Sequence, residues 1–301
     1  MHRLIVETDL FSDVDDVGAL AVAHALADDG RCELLAVGVN TPSVHGVRAV
    51  RAINAFFGRP GIAVGRFREH DDSVFEHDYA TFLTENYPVP PAEGDELAVA
   101  LHRRVLAEAE QSSITVVSLG FFGNLLDLLD SGPDEISDLD GTELVARAVS
   151  RMVVMGGRYP EGREFNIAQD PVAAGRVLSE WPTPIDFIGW EAGFEVITGR
   201  EISRDDERNL VGAAYRTFSG EGAGRESWDP IAMHYAIVGG DGPYTASPTG
   251  RVVVESDGTT RFVADADGPH RYVSLAATPT AVAQALDALL ERATRLRLHG
   301  G

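Results

Sequence analysis

Five carboxylates lie within ten consecutive residues near the amino terminus, directly after the apolar run Leu4–Val6. They are Glu7, Asp9, Asp13, Asp15 and Asp16. Carboxylates crowded this closely repel one another unless a cation lies among them. Capping of the following helix by Ser12 or Asp13 would use only one side chain. The stretch therefore predicts a divalent metal site, and hard oxygen ligands suit Ca²⁺ or Mg²⁺.

Two well-known motifs do not fit this stretch. An EF-hand loop needs a glycine at position six and a glutamate at position twelve, and no register of this stretch supplies both. A phosphatase of the haloacid dehalogenase type needs an aspartate nucleophile where this chain has Glu7, and a lysine to clamp the phosphate. All 25 basic residues are arginines, so lysine chemistry of every kind is excluded.

Further polar residues follow later apolar runs. Asn40 follows the second run, Asn124 lies in a glycine-rich turn after Leu119, and Glu164 and Asn166 come shortly after Met155. In a parallel sheet the carboxyl ends of the strands meet at one edge, where ligands bind. We expect these side chains to lie close to the aspartates.

Short apolar runs alternate with helical patterns along most of the chain. The strand-like runs are Leu4–Val6, Leu34–Val39, Ile62–Val64, Ile114–Leu119, Met152–Met155 and Ile185–Ile188. The helical patterns are Val17–Leu26, Val44–Phe57, Leu97–Ala109 and Val172–Trp181, with Asp170 and Pro171 as N-cap and first residue of the last one. This alternation predicts one α/β domain over residues 1–301, with a mostly parallel central sheet and helices on both faces.

Two regions depart from the alternation. Arg66–Pro91 is polar and acidic with scattered aromatic residues, which favours a long loop or lid. Arg251–Glu255 and Arg261–Ala264 flank a turn signal and predict a β-hairpin, which a closing helix follows from about Thr280 to Leu296.

The amino-acid composition limits the classes of molecule that the protein is expected to bind. The 301 residues carry 47 acidic and 25 basic side chains, a formal charge of −22, which opposes binding to nucleic acid or to an anionic membrane. The single cysteine, Cys32, forms no intramolecular disulfide, and the amino terminus lacks the apolar region of a signal peptide. We expect a cytoplasmic protein.

Taken in order, the motifs resemble the inosine-uridine preferring nucleoside hydrolase family. The shared features are the aspartate-rich first turn, Gly38-Val39-Asn40-Thr41, the glycine-rich turn with Asn124, Met155-Gly156-Gly157, Glu164-Phe165-Asn166 and Trp228-Asp229-Pro230. The resemblance covers Leu4 to about Ala236. It implies a small-molecule nucleoside substrate and a homo-oligomer, a dimer or a tetramer.

The resemblance implies a Ca²⁺ ion that binds the ribose hydroxyls and the attacking water. Asp9 matches the family's general base and metal ligand, Asp16 a second ligand, and Asp229 a late ligand that alternatively caps a helix before Pro230. Gly123 falls where the family supplies a backbone carbonyl ligand.

The resemblance also assigns the sugar contacts to Asp15, Asn40, Glu164 and Asn166. Because the first turn is two residues longer than usual, Asp13 competes with Asp15 for this role. A metal, a carboxylate base and hydrogen bonds to the ribose are what cleavage of an N-glycosidic bond through an oxocarbenium-like state requires.

The largest departure is Trp228, which stands where many members carry a histidine that protonates the leaving base. Trp228 can stack on the base, whereas Trp190 is expected to pack in the core. His70, His77 and His234 are alternative proton donors.

Two other functions stay open. The chain can be a ribose-binding or regulatory protein with the same metal site and little turnover. It can also hydrolyse a different N-riboside, whose negatively charged substituent faces Arg158 or Arg163.

Overall fold

The computed structural model describes residues 1–11, 13–68, 70–71, 79–91 and 96–299. Ser12 and His77 lie outside these ranges. The strands of the described part are β1 His2–Thr8, β2 Cys32–Val39, β3 Ala63–Arg66, β4 Ile114–Ser118, β5 Val149–Met155, β6 Glu161–Arg163, β7 Ile185–Ile188, β8 Ile197–Thr198, β9 Arg225–Glu226, β10 Tyr244–Ala246, β11 Gly250–Val254, β12 Thr259–Ala264 and β13 His270–Leu275.

The helices of the same ranges are α1 Asp15–Asp28, α2 Val44–Phe56, α3 Tyr79–Asn86, α4 Ala98–Glu108, α5 Gly123–Leu129, α6 Gly141–Ala148, α7 Phe165–Gln169, α8 Pro171–Glu180, α9 Trp190–Gly193, α10 Leu210–Ser219, α11 Trp228–Val238 and α12 Pro279–His299. Two short 3₁₀ turns, Ile202–Arg204 and Gly239–Asp241, flank α10 and α11.

The central sheet has the strand order β3-β2-β1-β4-β5-β7-β13-β11-β12-β6. Strands β3 to β7 along this order are parallel to their neighbours. Strand β1 lies in the middle, and its two neighbours are reached by chain crossovers in opposite directions. Such a reversal of strand order opens a crevice at the carboxyl ends of the strands. The crevice therefore begins where β1 ends, at Thr8.

Each face of the sheet buries its own apolar core. Within β1, Leu4 and Val6 belong to one core, which includes α1, α2, α10, α11 and α12. Ile5 points to the other core, which includes α5, α6 and α8. Alternating side chains of a strand reach opposite faces, so a continuous apolar run indicates a strand covered on both sides. The α/β fold predicted from the sequence is confirmed.

The predicted hairpin and closing helix are present. Strands β11 and β12 pair antiparallel, and α12 begins at Pro279. The hairpin is part of the main sheet, since β11 pairs with β13, and β13 runs parallel to β7.

The prediction that Arg66–Pro91 is one long loop is wrong for its second half. Helix α3 occupies Tyr79–Asn86, and Tyr79, Ala80 and Leu83 are buried against the first core. Eight residues give too short a pattern to stand out from a polar segment. No helix among the described residues is long and apolar enough to cross a membrane.

Candidate active site

A cavity of about 360 Å³ opens at the carboxyl ends of β1, β4 and β5. We call one part of its lining the aspartate side, formed by Asp9, Asp15, Asp16 and Asp229. A second part is the aromatic side, formed by Trp190, Phe218, Arg225 and Trp228. Glu164 and Asn166 also line the cavity.

Asp9, Asp16 and Asp229 form a compact cluster. One carboxylate oxygen from each lies within 4.8 Å of the other two, and all three residues are at most 3% exposed. Asp9 follows β1, while Asp16 and Asp229 belong to the first turns of α1 and α11. The two helices approach closely at Gly18, where an added Cβ would lie 3.1 Å from Pro230. The structure thus brings together three predicted metal ligands that are distant in sequence.

The donor set fits a hard divalent cation. Thr8 donates its hydroxyl hydrogen to Asp16 Oδ1, whereas the buried Oδ2 of Asp16 has no hydrogen-bond partner among the described residues. A buried carboxylate oxygen without a partner is costly unless a cation binds it. Burial, followed by repulsion from neighbouring carboxylates, raises the pKa of Asp15, Asp16 and Asp229 well above the usual range. A divalent cation among them would reverse this effect and keep them ionised.

Asp13 and Asp15 have different partners. Asp15 Oδ2 accepts a hydrogen bond from the backbone N–H of Asp229 at 3.0 Å, which ties α1 to α11. Asp13 is paired with Arg225, whose Nη2 lies 2.5 Å from Asp13 Oδ2. The residue that precedes α1 is Val14, which offers no side-chain cap, so Asp13 does not cap this helix. Both aspartates line the cavity, and Asp15 is hydrogen-bonded to Asp229 of the aspartate cluster.

Glu164 and Asn166 are held rigidly by backbone groups. The Glu164 carboxylate accepts hydrogen bonds from the backbone N–H groups of Gly157, Asn166 and Ile167 at 2.7–3.2 Å. Burial nevertheless raises its pKa. The Asn166 Nδ2 group donates to the backbone oxygen of Leu119 at 3.0 Å. No described residue donates a hydrogen bond to Asn166 Oδ1, so this atom can accept one from a ligand.

Glu7 lies fully buried behind this site. Its Oε2 accepts hydrogen bonds from Asn124 at 2.8 Å and from Asn40 at 3.3 Å, and its Oε1 lies 3.1 Å from His102 Nε2. A Cβ at Gly38 would lie 1.8 Å from Glu7 Oε1, so only glycine leaves room for this longer acid. Asn124 does not cap α5, which begins after Phe122.

Asn40 and Gly123 lie next to the cavity rather than on its described lining. Asn40 Oδ1 accepts from the backbone N–H of Phe121 at 3.0 Å. The Cα of Gly123 faces the Phe67 ring, since an added Cβ would lie 2.6 Å from it. Their sugar and metal contacts stay predictions. At Gly120 an added Cβ would lie 2.5 Å from Asp9 Cβ, so this glycine allows β4 to pack against the aspartate side.

Trp190 and Trp228 are coupled on the aromatic side. The Trp228 indole Nε1 donates to the backbone oxygen of Trp190 at 2.7 Å. The Trp190 ring packs against Phe194 with centroids 4.3 Å apart, and the Arg158 guanidinium lies 4.4 Å from the Trp190 centroid. The expectation that Trp190 packs in the core is wrong, because it lies half-buried on the cavity wall at the start of α9.

Arg225 is a cavity residue that the sequence analysis missed. Its guanidinium lies 5.4 Å from the ring centroids of both Phe218 and Trp228. It also donates to Asp13 and, through Nη1, to Glu226 at 2.8 Å. A single arginine in a two-residue strand carries no sequence signal that separates it from a surface residue.

The remaining candidates lie elsewhere. His234 Nδ1 is 2.8 Å from the Tyr244 hydroxyl, and burial lowers its pKa to about 4. Neither His234 nor His70 lines the described cavity. Arg163 donates to the backbone oxygen of Asp257 at the surface. Asp229 is not an N-cap, because α11 begins one residue earlier, whereas Asp170 and Pro171 do begin α8 as predicted.

Comparison with solved structures shows the same fold in several hydrolases. A plant nucleoside hydrolase is 21% identical, with a TM-score of 0.71 over 97% of this chain and 99% of that one. An inosine-uridine preferring nucleoside hydrolase from Bacillus anthracis is 19% identical, with a TM-score of 0.72 over 98% and 99%. A purine-preferring ribonucleoside hydrolase from Gardnerella vaginalis is 21% identical, with a TM-score of 0.71 over 98% and 99%. No sequence match is found among curated proteins.

The family itself is shown by the sequence. The model of the inosine-uridine preferring nucleoside hydrolases matches residues 4–288, nearly the whole chain. This match includes the aspartate cluster, the Glu164–Asn166 segment and the aromatic side. The chain therefore belongs to the inosine-uridine preferring nucleoside hydrolase family, whose members hydrolyse N-glycosidic bonds.

Proposed function

We propose that this protein is a Ca²⁺-dependent ribohydrolase that cleaves the N-glycosidic bond of a nucleoside or a related N-riboside. The observation that carries the proposal is the buried cluster of Asp9, Asp16 and Asp229, with an Asp16 oxygen that lacks a partner among the described residues. Oxygen ligands of this kind suit Ca²⁺ better than transition metals. The cluster lies at the floor of a cavity large enough for a small ligand.

Asp9, Asp16 and Asp229 would hold the ion. A bound Ca²⁺ would supply a Lewis acid that orients the sugar hydroxyls and makes water easier to deprotonate. The chain's own residues supply the remaining chemistry.

Asp9 is the proposed base, which accepts a proton as water adds to the anomeric carbon. The C1′–N bond breaks with its electron pair on the base nitrogen, and positive charge develops on the sugar ring. The buried carboxylates of the aspartate side stabilise this charge. We assign the sugar hydroxyls to Asp15, Asn40, Glu164 and Asn166, and the carbonyl of Gly123 to the metal. A homo-oligomer and a cytoplasmic location also stay predictions.

The test is ribose release from purine, pyrimidine and modified nucleosides, with Ca²⁺ present or chelated. Native protein is compared with Asp9→Ala and with Asp267→Ala, which changes an aspartate of the turn between β12 and β13. We expect release that requires both Ca²⁺ and Asp9 and is unchanged in Asp267→Ala. Release that survives chelation would contradict the metal's role. Tight Ca²⁺ and ribose binding with no release from any compound would instead favour a ribose-binding protein.

A further inference from the structure

Cleavage of the C1′–N bond leaves negative charge on the departing base. That charge must be neutralised by a proton or by a fixed positive group. Among the described lining residues, the side chains that ionise are carboxylates and one arginine, Arg225, and none is a histidine. The Trp228 N–H is already bonded to Trp190, so it does not serve as the donor.

Arg225 is held in a fixed position on the aromatic side. Its Nε and Nη2 donate to the Asp13 carboxylate at 2.5–3.1 Å, and its Nη1 donates to Glu226 at 2.8 Å. The rings of Phe218 and Trp228 pack around the guanidinium, and the side chain is 29% exposed. Such a side chain loses little conformational freedom when it binds a ligand.

The Arg225 guanidinium has more N–H donors than its two carboxylate partners use. Each terminal nitrogen carries two N–H groups, and one on each is used by Asp13 or Glu226. One N–H on Nη1 and one on Nη2 therefore have no partner among the described residues.

We propose that Arg225 binds the leaving base and stabilises it as an anion, and that it selects bases that present hydrogen-bond acceptors. This inference rests on the proposed hydrolase function. As the C1′–N bond breaks, its electron pair stays on the base, which departs as an anion hydrogen-bonded to Arg225. Arg225 transfers no proton. The anion then takes a proton from solvent water, and Asp9 returns to solvent the proton it received.

The donor set of Arg225 predicts a substrate preference. A 6-oxopurine presents two acceptors, O6 and N7, on one edge, and arginine pairs with both. A 6-aminopurine presents one acceptor and an amino donor, which faces the arginine N–H unfavourably. We therefore expect inosine to be a better substrate than adenosine.

The experiment compares inosine, adenosine and 4-nitrophenyl β-D-riboside in the Ca²⁺-loaded native protein and in Arg225→Ala. Nitrophenolate leaves readily without a donor, so its release reports on the sugar and the metal only. We expect Arg225→Ala to lower kcat on inosine by about 10²-fold, the usual effect of losing one preorganised donor. The same variant should change kcat on the nitrophenyl riboside by less than about 3-fold, and the preference for inosine over adenosine should largely disappear.

Three control variants distinguish binding of the base by Arg225 from a general effect of Arg225 on the shape of the cavity. Arg251→Ala removes a surface arginine paired with Asp265 and should leave all three substrates unaffected. Asp13→Asn keeps one side-chain oxygen that can accept from Arg225, in addition to the contact with Glu226 and both rings, so it should cost inosine hydrolysis less than Arg225→Ala does. Arg225→Lys keeps the charge without the planar fork and should fall between native protein and Arg225→Ala on inosine, with melting temperature and Ca²⁺ affinity close to native.

Equal losses on inosine and on the nitrophenyl riboside would overturn the proposal, because Arg225 would then only shape the cavity. Failure of the native protein to release ribose or nitrophenolate from any substrate with Ca²⁺ would overturn the hydrolase function itself. That result is distinct from a native enzyme that is active but indifferent to Arg225.

Discussion

On the aspartate side, four buried carboxylates come from the end of one strand and from the first turns of two helices, whereas on the aromatic side rings surround a single arginine. The aspartate side carries like charges that a bound cation would neutralise. The aromatic side carries a cation that already has carboxylate partners. The first side needs a ligand to be stable in its ionised form, and the second does not.

This difference separates two functions of one cavity. Charge stabilisation on the sugar requires the same groups for every N-riboside, so it can be built into α1, α11 and the end of β1. In our proposal, discrimination between leaving groups depends on Arg225 of the short strand β9 and on rings from the short helix α9 and from α10 and α11. Segments of this kind carry specificity in many enzymes because the scaffold does not constrain them.

Asp16→Asn should have the largest effect on activity. The metal's contribution of several kcal/mol corresponds to a loss of about 10³-fold in kcat/KM. Ca²⁺ at 100 times its Kd should raise the free energy of unfolding of native protein by about 2.7 kcal/mol, and Asp16→Asn should abolish this increase. Without Ca²⁺ the variant should melt no lower than native protein, because it removes one charge from a crowded cluster. Melting curves with and without Ca²⁺ measure this stabilisation, and Asp265→Asn is the control. If Ca²⁺ still raised the melting temperature of Asp16→Asn, Asp16 would not be a metal ligand.

Glu164→Gln tests whether the Glu164 carboxylate holds the segment Glu164–Asn166 of the cavity lining in place. The Glu164 carboxylate accepts hydrogen bonds from three backbone N–H groups, and a glutamine would turn an NH₂ group toward some of them. We expect the free energy of unfolding to fall by about 1–3 kcal/mol. Misplacement of Asn166 should lower kcat/KM by about 10- to 100-fold. Denaturant titration measures the loss of stability, and steady-state kinetics measure the loss of activity. Glu161→Gln, at the exposed start of β6, is the control. Unchanged stability of Glu164→Gln would show that the carboxylate does not hold this segment.

The aspartate side could be predicted largely from sequence. Asp9 and Asp16 both lie within eight residues of the end of the first strand, and the parallel-strand rule puts them at the ligand-binding edge. Asp229 lies more than 200 residues away, and only the resemblance to a family linked it to them. The unusual Glu7 was visible in the sequence, but its accommodation by Gly38 and His102 was not, because it depends on the packing of β2 and α4 against β1.

Trp228→Phe asks whether the indole N–H serves the substrate or the fold. Because this N–H donates to the Trp190 carbonyl, we expect a loss of about 0.5–1.5 kcal/mol in the free energy of unfolding. The change in kcat/KM on inosine should be less than about 10-fold, since the phenylalanine ring still lines the cavity. Thermal melts and steady-state kinetics give both quantities. A loss of activity as large as that of Arg225→Ala would mean that the two sides do not differ as described.

The aromatic side could not be predicted from sequence in the same way. Asp13 and Arg225 are 212 residues apart, and the segment that carries Arg225 has neither helical nor strand periodicity. Trp190 was assigned to the core because a tryptophan after a strand is usually buried. Its position on the cavity wall, at the start of α9, depends on tertiary packing that the local sequence does not reveal.

Arg158→Ala should have the smallest effect, and it tests whether the aromatic side also reads substituents beyond the base. The backbone N–H of Arg158 donates to the Thr260 hydroxyl, and the Arg158 side chain packs along Gly162. The Arg158 guanidinium covers the Trp190 ring and has no ion-pair partner in the described part of the chain. An exposed charge of this kind contributes up to about 1 kcal/mol, or roughly 5-fold in affinity. We expect KM for a nucleoside 5′-monophosphate to rise by up to about 5-fold in Arg158→Ala, and KM for the neutral nucleoside to stay within about 2-fold.

Arg163→Ala is the matched control, since Arg163 binds the Asp257 carbonyl at the surface and should change neither value. Equal effects of Arg158→Ala on the charged and the neutral substrate would limit this arginine to supporting Trp190, and would leave Arg225 as the only arginine of the aromatic side that contacts the substrate.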